Sequence, residues 1–452
     1  MSGETARGAA GKTAALDRFF GISARGSSVR TEILAGATTF IAMAYIIMVN
    51  PAILSDAGLP VAAVAVATCI AAGFATLAMG LVANVPLALA PGMGLNAYFT
   101  YTVVQQMGVP WQVGLGCVFL SGVIFLLLTV AGIRQMIIAA IPLHLFAAVA
   151  GGIGLFIAFI GLKNAGIVVS NPATFVAIGD LRQPGPALAI LGLLLIAGLS
   201  AWRVKGALLI GIVATTLVAW LLGQVTFTPQ PYSVAALTET AFKLDIAGAL
   251  GFGGGHGLGL IEIIFVFLFV DIFDNIGTLV AVTKRAGLVD ADGKIPNLNR
   301  ILTTDSVATM VGAMAGTSTV TSYVESAAGV QAGGRTGLAS VVTGLLFLLA
   351  VFVAPYAQLV PAAATAPALI IVGCLMMAPL AEIDWDDAYL AVPAFLTLII
   401  IPLTFSIANG MAFGITAFAA LKIIRGQARV GDWLLFVLAG LFVARFVWMA
   451  AG

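Results

Sequence analysis

Apolar runs of membrane-span length follow one another along almost the whole chain, separated by short polar breaks. A helix needs about 20 mainly apolar residues to cross the hydrocarbon core of a bilayer. On that measure the pattern predicts spans over 31–50, 61–83, 93–107, 111–132, 137–161, 187–201 and 205–223. After a polar stretch it predicts 258–283, 301–316, 322–332, 338–355, 365–380, 388–406 and 409–424. The last run, 431–449, fits either an extra span or a helix lying in the interface. Two segments break the pattern. NVPLALAPGMGLNAYFT, from Asn84 to Thr100, carries two prolines and two glycines. AGTSTVTSYVESAAGV, from Ala315 to Val330, is polar and too short to span as one helix. Each follows two spans of its own half, and interrupted segments at matching places of two halves point to a transporter's binding site. VIFLLL (Val123–Leu128) and LLFLLA (Leu345–Ala350) then echo each other weakly, which suggests a repeat of seven plus seven spans. An odd number of spans per repeat inverts one half against the other in the membrane.

Composition agrees with this picture. Of 452 residues, 61% are hydrophobic and 9% are charged, whereas a soluble domain carries about 25% charged residues. The bilayer is therefore the solvent for most of the surface. The 52 glycines suit helices that approach closely. A net charge of +1, with no basic patch, argues against a nucleic-acid partner. Cys69, Cys117 and Cys374 lie in apolar runs and read as core residues. The two histidines, His144 and His256, are far apart, so neither a metal cluster nor a haem site is expected. The first 29 residues lack the apolar stretch of a signal peptide and read as a cytoplasmic tail, with 16–22 along the membrane surface. With that end inside, the inner connections hold Arg134, Arg203, Lys205, Lys284, Arg285, Lys294, Arg300, Arg335, Lys422, Arg425 and Arg429. The outer ones hold mainly Lys163 and Arg182, which is the positive-inside bias. DADGK (Asp290–Lys294) resembles the start of a calcium loop but lacks the later ligands.

Carboxylates inside spans are costly, about +2.5 to +3.5 kcal/mol at a helix centre on insertion scales, and so mark function. LGLIEIIFVFLFVDIFDNIGTLVAVT holds Glu262, Asp271 and Asp274. Glu262 lies near the outer end and reads as a solvated helix end. Asp271 and Asp274 are three apart on one helix face, and two like charges so close favour keeping one proton between them. They serve either proton coupling or a structural polar network. Glu325 follows a Thr/Ser-rich, non-helical stretch, with a half-helix expected to begin near Tyr323 and to offer free N–H groups to a ligand. Glu325 could equally satisfy that helix's own dipole. Asn96 is the matching polar group of the first half; its amide offers a donor and an acceptor together, as a heterocyclic base edge requires, or else serves as helix–helix glue. Tyr98, Phe99, Phe273 and Tyr323 are candidates to stack on a planar ligand, against the plainer reading of aromatic packing.

TTFIAMAYIIMVNP (Thr38–Pro51), ALAPGMGLNAYF (Ala88–Phe99), FVDIFDNIGTL (Phe269–Leu279) and GTSTVTSYVESAAGV (Gly316–Val330) resemble the signature segments of AzgA-like purine permeases. These are the adenine, guanine and hypoxanthine transporters of the nucleobase–ascorbate group, and the likeness runs from about Arg18 to the C-terminus. It implies an all-α membrane protein of about 14 spans in a seven-plus-seven inverted repeat, with spans 3 and 10 broken. A core domain would comprise 30–132 (spans 1–4) and 256–358 (spans 8–11). A gate domain would comprise 133–255 (spans 5–7) and 359–430 (spans 12–14). The tail is 1–29 and the extra apolar segment 431–452. The resemblance places substrate binding on Asn96, Asp274 and Glu325, with Phe273, Tyr323 and Thr278 beside them, and proton coupling on Asp274, Glu325 or Asp271. Asp274 sits three before Gly277, where the related uracil and xanthine permeases place a Glu; Thr278 stands close to where uracil permeases carry a His. The expected function is import of a purine base, hypoxanthine, guanine or adenine, across the inner (plasma) membrane by proton symport with alternating access. Sodium fits less well as the coupling ion, and no cofactor is implied. A uracil or xanthine carrier, or an anion transporter on the same fold, is the alternative. An enzyme is not expected, because no nucleophile–base pair or metal cluster lies in the spans. The likeness is compatible with a homodimer through the gate domains.

Overall fold

The computed structural model describes residues 15–132, 142–226, 234–251, 257–288, 295 and 297–451. The first part of the tail, Arg134, His256 and the DADGK stretch lie outside them. Among the described residues seven helices are long and apolar enough to cross a membrane by length and composition. The chain runs through α1 (Val29–Met43), α2 (Ile46–Ser55), α3 (Val61–Ala78), a three-residue strand β1 (Leu89–Pro91) and α4 (Met93–Ala97). Then come α5 (Trp111–Val130), α6 (Leu143–Asn164), an exposed hairpin β2 (Val168–Asn171) and β3 (Phe175–Ile178), α7 (Pro184–Ala201) and α8 (Ala207–Leu221). The second half holds α9 (Gly257–Arg285), α10 (Leu298–Ala315), β4 (Val320–Ser322), α11 (Ser326–Gln331) and α12 (Gly337–Ala350). It closes with α13 (Ala362–Leu375), α14 (Ala388–Thr404), α15 (Ile407–Ile424) and α16 (Trp433–Ala451).

The two polar, Gly/Pro-bearing segments fold where neither can be helical throughout. Backbone groups away from water must find partners within the protein. β1 and β4 supply them to each other as an antiparallel pair, Leu89 opposite Ser322, Ala90 opposite Thr321 and Pro91 opposite Val320. Gly92 N donates to Thr319 O (2.9 Å) and Tyr323 N to Ala88 O (2.9 Å). Hydroxyls fill the remaining gaps. Thr76 Oγ1 bridges the N–H and C=O of Leu89, Ser326 Oγ takes Ala88 N (2.9 Å), and Ser340 Oγ donates to the carbonyls of Val85 (2.7 Å) and Leu87 (3.0 Å). Two of these hydroxyls, Thr76 and Ser340, come from the neighbouring helices α3 and α12, which thereby satisfy backbone groups of the first broken segment. Beyond α4 the chain continues through wider turns over Tyr98–Gln106, closed at the end by Met107 N to Thr102 O (2.9 Å). Between α1 and α2 the helix tightens at Ala44–Tyr45, where Ile47 N reaches Ala44 O and Met48 N reaches Tyr45 O.

The long helices pack in characteristic pairs: α5 on α10, α12 on α3, and α6 on α13. Small residues permit this. A Cβ built at Gly344 of α12 would stand 2.7 Å from the Gly73 carbonyl of α3, and one at Gly73 2.6 Å from Leu348. Gly344→Val is expected to lower the stability of the detergent-purified protein by roughly 1–3 kcal/mol through overpacking, read as a fall in melting temperature; an unchanged melting temperature would refute this account of the contact.

Residues 16–22 present Leu16 and Phe19 outward while anchoring the tail inward. Phe20 and Ile22 are buried against Leu338, and Arg25 Nη1 donates to the carbonyls of Asn84 (2.8 Å) and Arg335 (3.0 Å). Two hydrogen bonds from Ser23 hold the Asp17 carboxyl below its ordinary range. The C-terminal run forms α16, which packs on α15 and buries Leu435, Leu438, Ala439 and Phe442. Cys69 and Cys117 are core residues as expected, but Cys374 is exposed.

Candidate functional site

One cavity of about 70 Å³ gathers most of the expected site residues. α9 contributes Asp274 and Thr278, one helical turn apart and so on one face. The end of β4 and the approach to α11 contribute Ser322, Tyr323, Val324 and Glu325. The tightened turn between α1 and α2 brings Tyr45, the stretch after β1 brings Gly92 to Gly94, and Val372 of α13 with Met376 just past its end completes the lining. Gly92 lets the backbone pass close by: a Cβ there would meet Thr321 Cγ2 at 2.8 Å and Asp274 Oδ2 at 3.7 Å.

Glu325 and Tyr323 are held in place. Tyr45, fully buried, donates its hydroxyl to Glu325 Oε1 at 2.6 Å. Tyr323 is fixed at both ends, its N–H on Ala88 O and its hydroxyl on Pro91 O, so its ring is a rigid wall. Ser322 Oγ lies 3.5 Å from Asn275 Oδ1, a long contact. Two carboxylates and several hydroxyls face the cavity, and none of its lining residues is Lys, Arg or His. Such a lining accepts hydrogen bonds from N–H groups of a neutral ring and does not suit a free anion.

Four expected residues therefore meet at one place: Asp274, Thr278, Tyr323 and Glu325. The side chain of Phe273 lies outside the described residues. Asp271 is buried on α9 but is not among the cavity's lining residues. Asn96 is also elsewhere. Its Nδ2 donates to Asn50 Oδ1, and Ser318 Oγ donates to its Oδ1. Asn50 in turn donates to Thr68 Oγ1 (2.7 Å) and Thr317 Oγ1 (2.9 Å). This buried network ties α4 to α2, α3 and the stretch before β4, and it uses both ends of the Asn96 amide. Part of the expected N–H set at the half-helix is already engaged. The first-turn amides of Ser326, Ala327 and Ala328 already reach the carbonyls of Tyr323, Val324 and Glu325 at 3.1, 3.0 and 2.9 Å. Glu262 is no solvated end: Arg445 Nη2 pairs with it at 2.6 Å.

Tyr45, Ser322, Val372 and Met376 escaped the sequence reading. For Tyr45 a signal existed, the one tyrosine within the apolar Thr38–Pro51 segment; for Val372 and Met376 there was none. A larger cleft, about 590 Å³, opens beside Tyr101, Gln105, Lys163, Thr404 and Asn409. It presents amides and one cation but no carboxylate, so the acid chemistry belongs to the smaller cavity.

A many-helix membrane fold around a polar cavity, with extended backbone crossing at that cavity, defines a multi-pass transport protein. Residues 30–413 match the Xan_ur_permease family, described as a permease family. The chain is 45% identical over 436 residues to the adenine permease AdeP of Escherichia coli (strain K12), covering 96% of this chain and 97% of the relative. It is 43% identical over 427 residues to the guanine/hypoxanthine permease PbuO of Bacillus subtilis (strain 168), covering 94% and 98%. The protein belongs to this permease family, and these relatives are transporters, not enzymes. Its fold resembles the transmembrane domain of the cyanobacterium bicarbonate transporter BicA, with a TM-score of 0.65 at 14% identity over 85% of this chain and 97% of that one. At that identity the likeness concerns architecture alone.

Proposed function

We propose that the protein imports a purine base across the inner membrane by proton symport, with its N-terminus in the cytoplasm. The observation that carries this is the pairing of Asp274 and Glu325 around one cavity without a cation, in a chain whose relatives include adenine and guanine/hypoxanthine permeases. Glu325, oriented by Tyr45, accepts hydrogen bonds from ring N–H groups. The Tyr323 ring covers one face of the base, and Ser322 and Thr278 meet its polar edge. Asp274 carries the coupling proton. Asn96 acts from outside the cavity by holding α4 in place.

The fourteen-span inverted repeat is part of the same reading. A shift by seven spans turns the α5–α10 contact (spans 4 and 9) into the α12–α3 contact (spans 11 and 2). It maps β1–β4 (spans 3 and 10) and α6–α13 (spans 5 and 12) onto themselves. The broken spans belong to the core, whereas α13, which supplies Val372 and is followed by Met376, belongs to the gate. The base thus sits on the seam where core and gate move against each other to alternate access, and two copies pair through their gates.

Uptake of radiolabelled adenine, guanine, hypoxanthine, uracil and xanthine, in cells lacking their own base carriers and with or without a protonophore, tests the reading. Purine uptake that collapses with the protonophore is expected and names the substrate. No uptake with protein present in the membrane, or uptake of uracil or xanthine alone, would overturn it; purine uptake indifferent to the protonophore would remove the proton. Tyr45→Phe is expected to leave membrane levels normal and to raise the KM for uptake by roughly 10-fold, the loss of about one hydrogen bond to a charged group. A KM equal to wild type would take Tyr45 out of the site.

A further inference from the structure

The carboxylate of Glu262 and the guanidinium of Arg445 meet at the end of α9 remote from Lys284 and Arg285, and the permease reading leaves them without a role. Arg445 Nη2 lies 2.6 Å from Glu262 Oε1, and the two side chains are only 15% and 22% exposed. Its Nη1 donates to Asn409 Oδ1 on α15 at 3.0 Å. One guanidinium therefore joins three helices: α16, which carries it, α9 and α15. Apolar contacts continue the seam. Phe442 of α16 meets Phe265 of α9 edge-on at 6.0 Å, and Phe265 stacks on Phe269 at 5.2 Å. Beside these lies an apolar groove of about 410 Å³, where the seam is incompletely filled. α16 also stands beyond residues 30–413, the part matched to the family.

α9 is the helix that carries Asp274. Glu262 precedes Asp274 by twelve residues, about 18 Å along the axis at 1.5 Å per residue. Any displacement of α9 against α15 and α16 must stretch or break the ion pair. In a poorly solvated setting, a charge deprived of its partner is strongly disfavoured. The cost falls on whichever state separates the pair, so the pair biases the equilibrium between states.

We propose that Glu262 and Arg445 are positioning residues: their ion pair clasps the outer end of α9 to α15 and α16 and sets the balance between the two access states of the carrier. The proposal rests on the alternating-access reading above. If α16 travelled with α9 as one body, the pair would stay closed throughout and would act as a structural staple only.

The test compares Glu262→Gln, Arg445→Gln and the charge swap Glu262→Arg with Arg445→Glu, in full-length protein. One readout needs no substrate. A cysteine placed at Met376, in a background with Cys69, Cys117 and Cys374 replaced, is alkylated by a membrane-impermeant thiol reagent from either side. Each single neutralisation is expected to change that rate, and the KM and Vmax of purine uptake, by a factor within the roughly 5- to 150-fold range of conformational couplings. The swap is expected to restore all three to within about 2-fold of wild type, because it rebuilds the pair with its polarity reversed. Unchanged alkylation and kinetics, or a change confined to melting temperature, would overturn the clasp. Where a single neutralisation fails to reach the membrane, Glu262→Gln together with Arg445→Gln removes both charges, and the same readouts decide. Absence of purine uptake in the wild type would sink the permease reading, while the alkylation rates would still judge the clasp.

Discussion

Glu325→Gln is expected to weaken purine binding by roughly 10- to 150-fold while leaving the fold and the membrane level intact. The substitution keeps the side chain's length and volume. It leaves one oxygen to accept the Tyr45 hydroxyl, so the contact that orients the group at 2.6 Å can persist. What it removes is the second acceptor, and it puts an N–H donor where the carboxylate offered an oxygen. A ring N–H of the base then faces another donor. Hydrogen bonds to charged groups contribute about 1.5–3 kcal/mol, and 1.4 kcal/mol is a factor of ten in affinity, which gives the range stated. Equilibrium binding of radiolabelled base to the purified protein measures it directly. Glu325→Asp is the companion: it keeps the charge but retracts the group by one methylene from Tyr45, and should fall between wild type and Glu325→Gln. A dissociation constant unchanged by Glu325→Gln would remove Glu325 from the substrate's shell and leave the cavity without its main acceptor.

Much of this site is written in the sequence because a bilayer makes polar residues conspicuous. A charge in an apolar run needs a reason, so Asp274 and Glu325 stand out without any structure. Prolines and glycines at 84–100 and the Ser/Thr cluster at 315–330 announce backbone that cannot be plain helix, and β1 and β4 lie within those segments. The less legible part has a physical cause too. A helix apolar on every side gives no amphipathic stripe from which its facing can be read. Nothing in the sequence therefore said that Asn96 turns toward Asn50 and Ser318 and away from the cavity. Nor did it say that Val372 of α13 and Met376 just past it line the cavity. Glu262 and Arg445 are 183 residues apart, and each alone reads as an ordinary charge near a helix end. Only packing brings them to 2.6 Å. Three of the half-helix amides are engaged for a subtler reason. The rule that first-turn N–H groups are free holds for an α-helical start, whereas here the entry to α11 is tight enough for those amides to find carbonyls three residues back.

Asp274→Asn is expected to separate transport from accumulation. Asp274 faces a cavity with no basic side chain among its lining residues, so when it carries charge nothing there neutralises it except a proton. A carrier whose reorientation requires that neutralisation moves a proton with each base. Asparagine imitates the protonated carboxyl in shape and is neutral at all times. The variant should reorient without a proton, exchanging base across the membrane while losing the power to concentrate it. One elementary charge is worth about 2.3 kcal/mol per 100 mV, which corresponds to a concentration ratio of roughly 50-fold. Accumulation in energised vesicles should fall from that order to about one, and exchange of labelled for unlabelled base should continue at a rate within about 10-fold of wild type. Accumulation that persists and still collapses with a protonophore would move the coupling role to Glu325. Loss of exchange as well would mean that Asp274 holds the base itself, and the two carboxylates would then share one task instead of dividing two. The outcome turns on a division of labour that the geometry favours: Glu325 already has a fixed partner in Tyr45 and is built to hold a position, whereas Asp274, one turn from Thr278 and beside the close-passing backbone of Gly92, is the group left to change its charge.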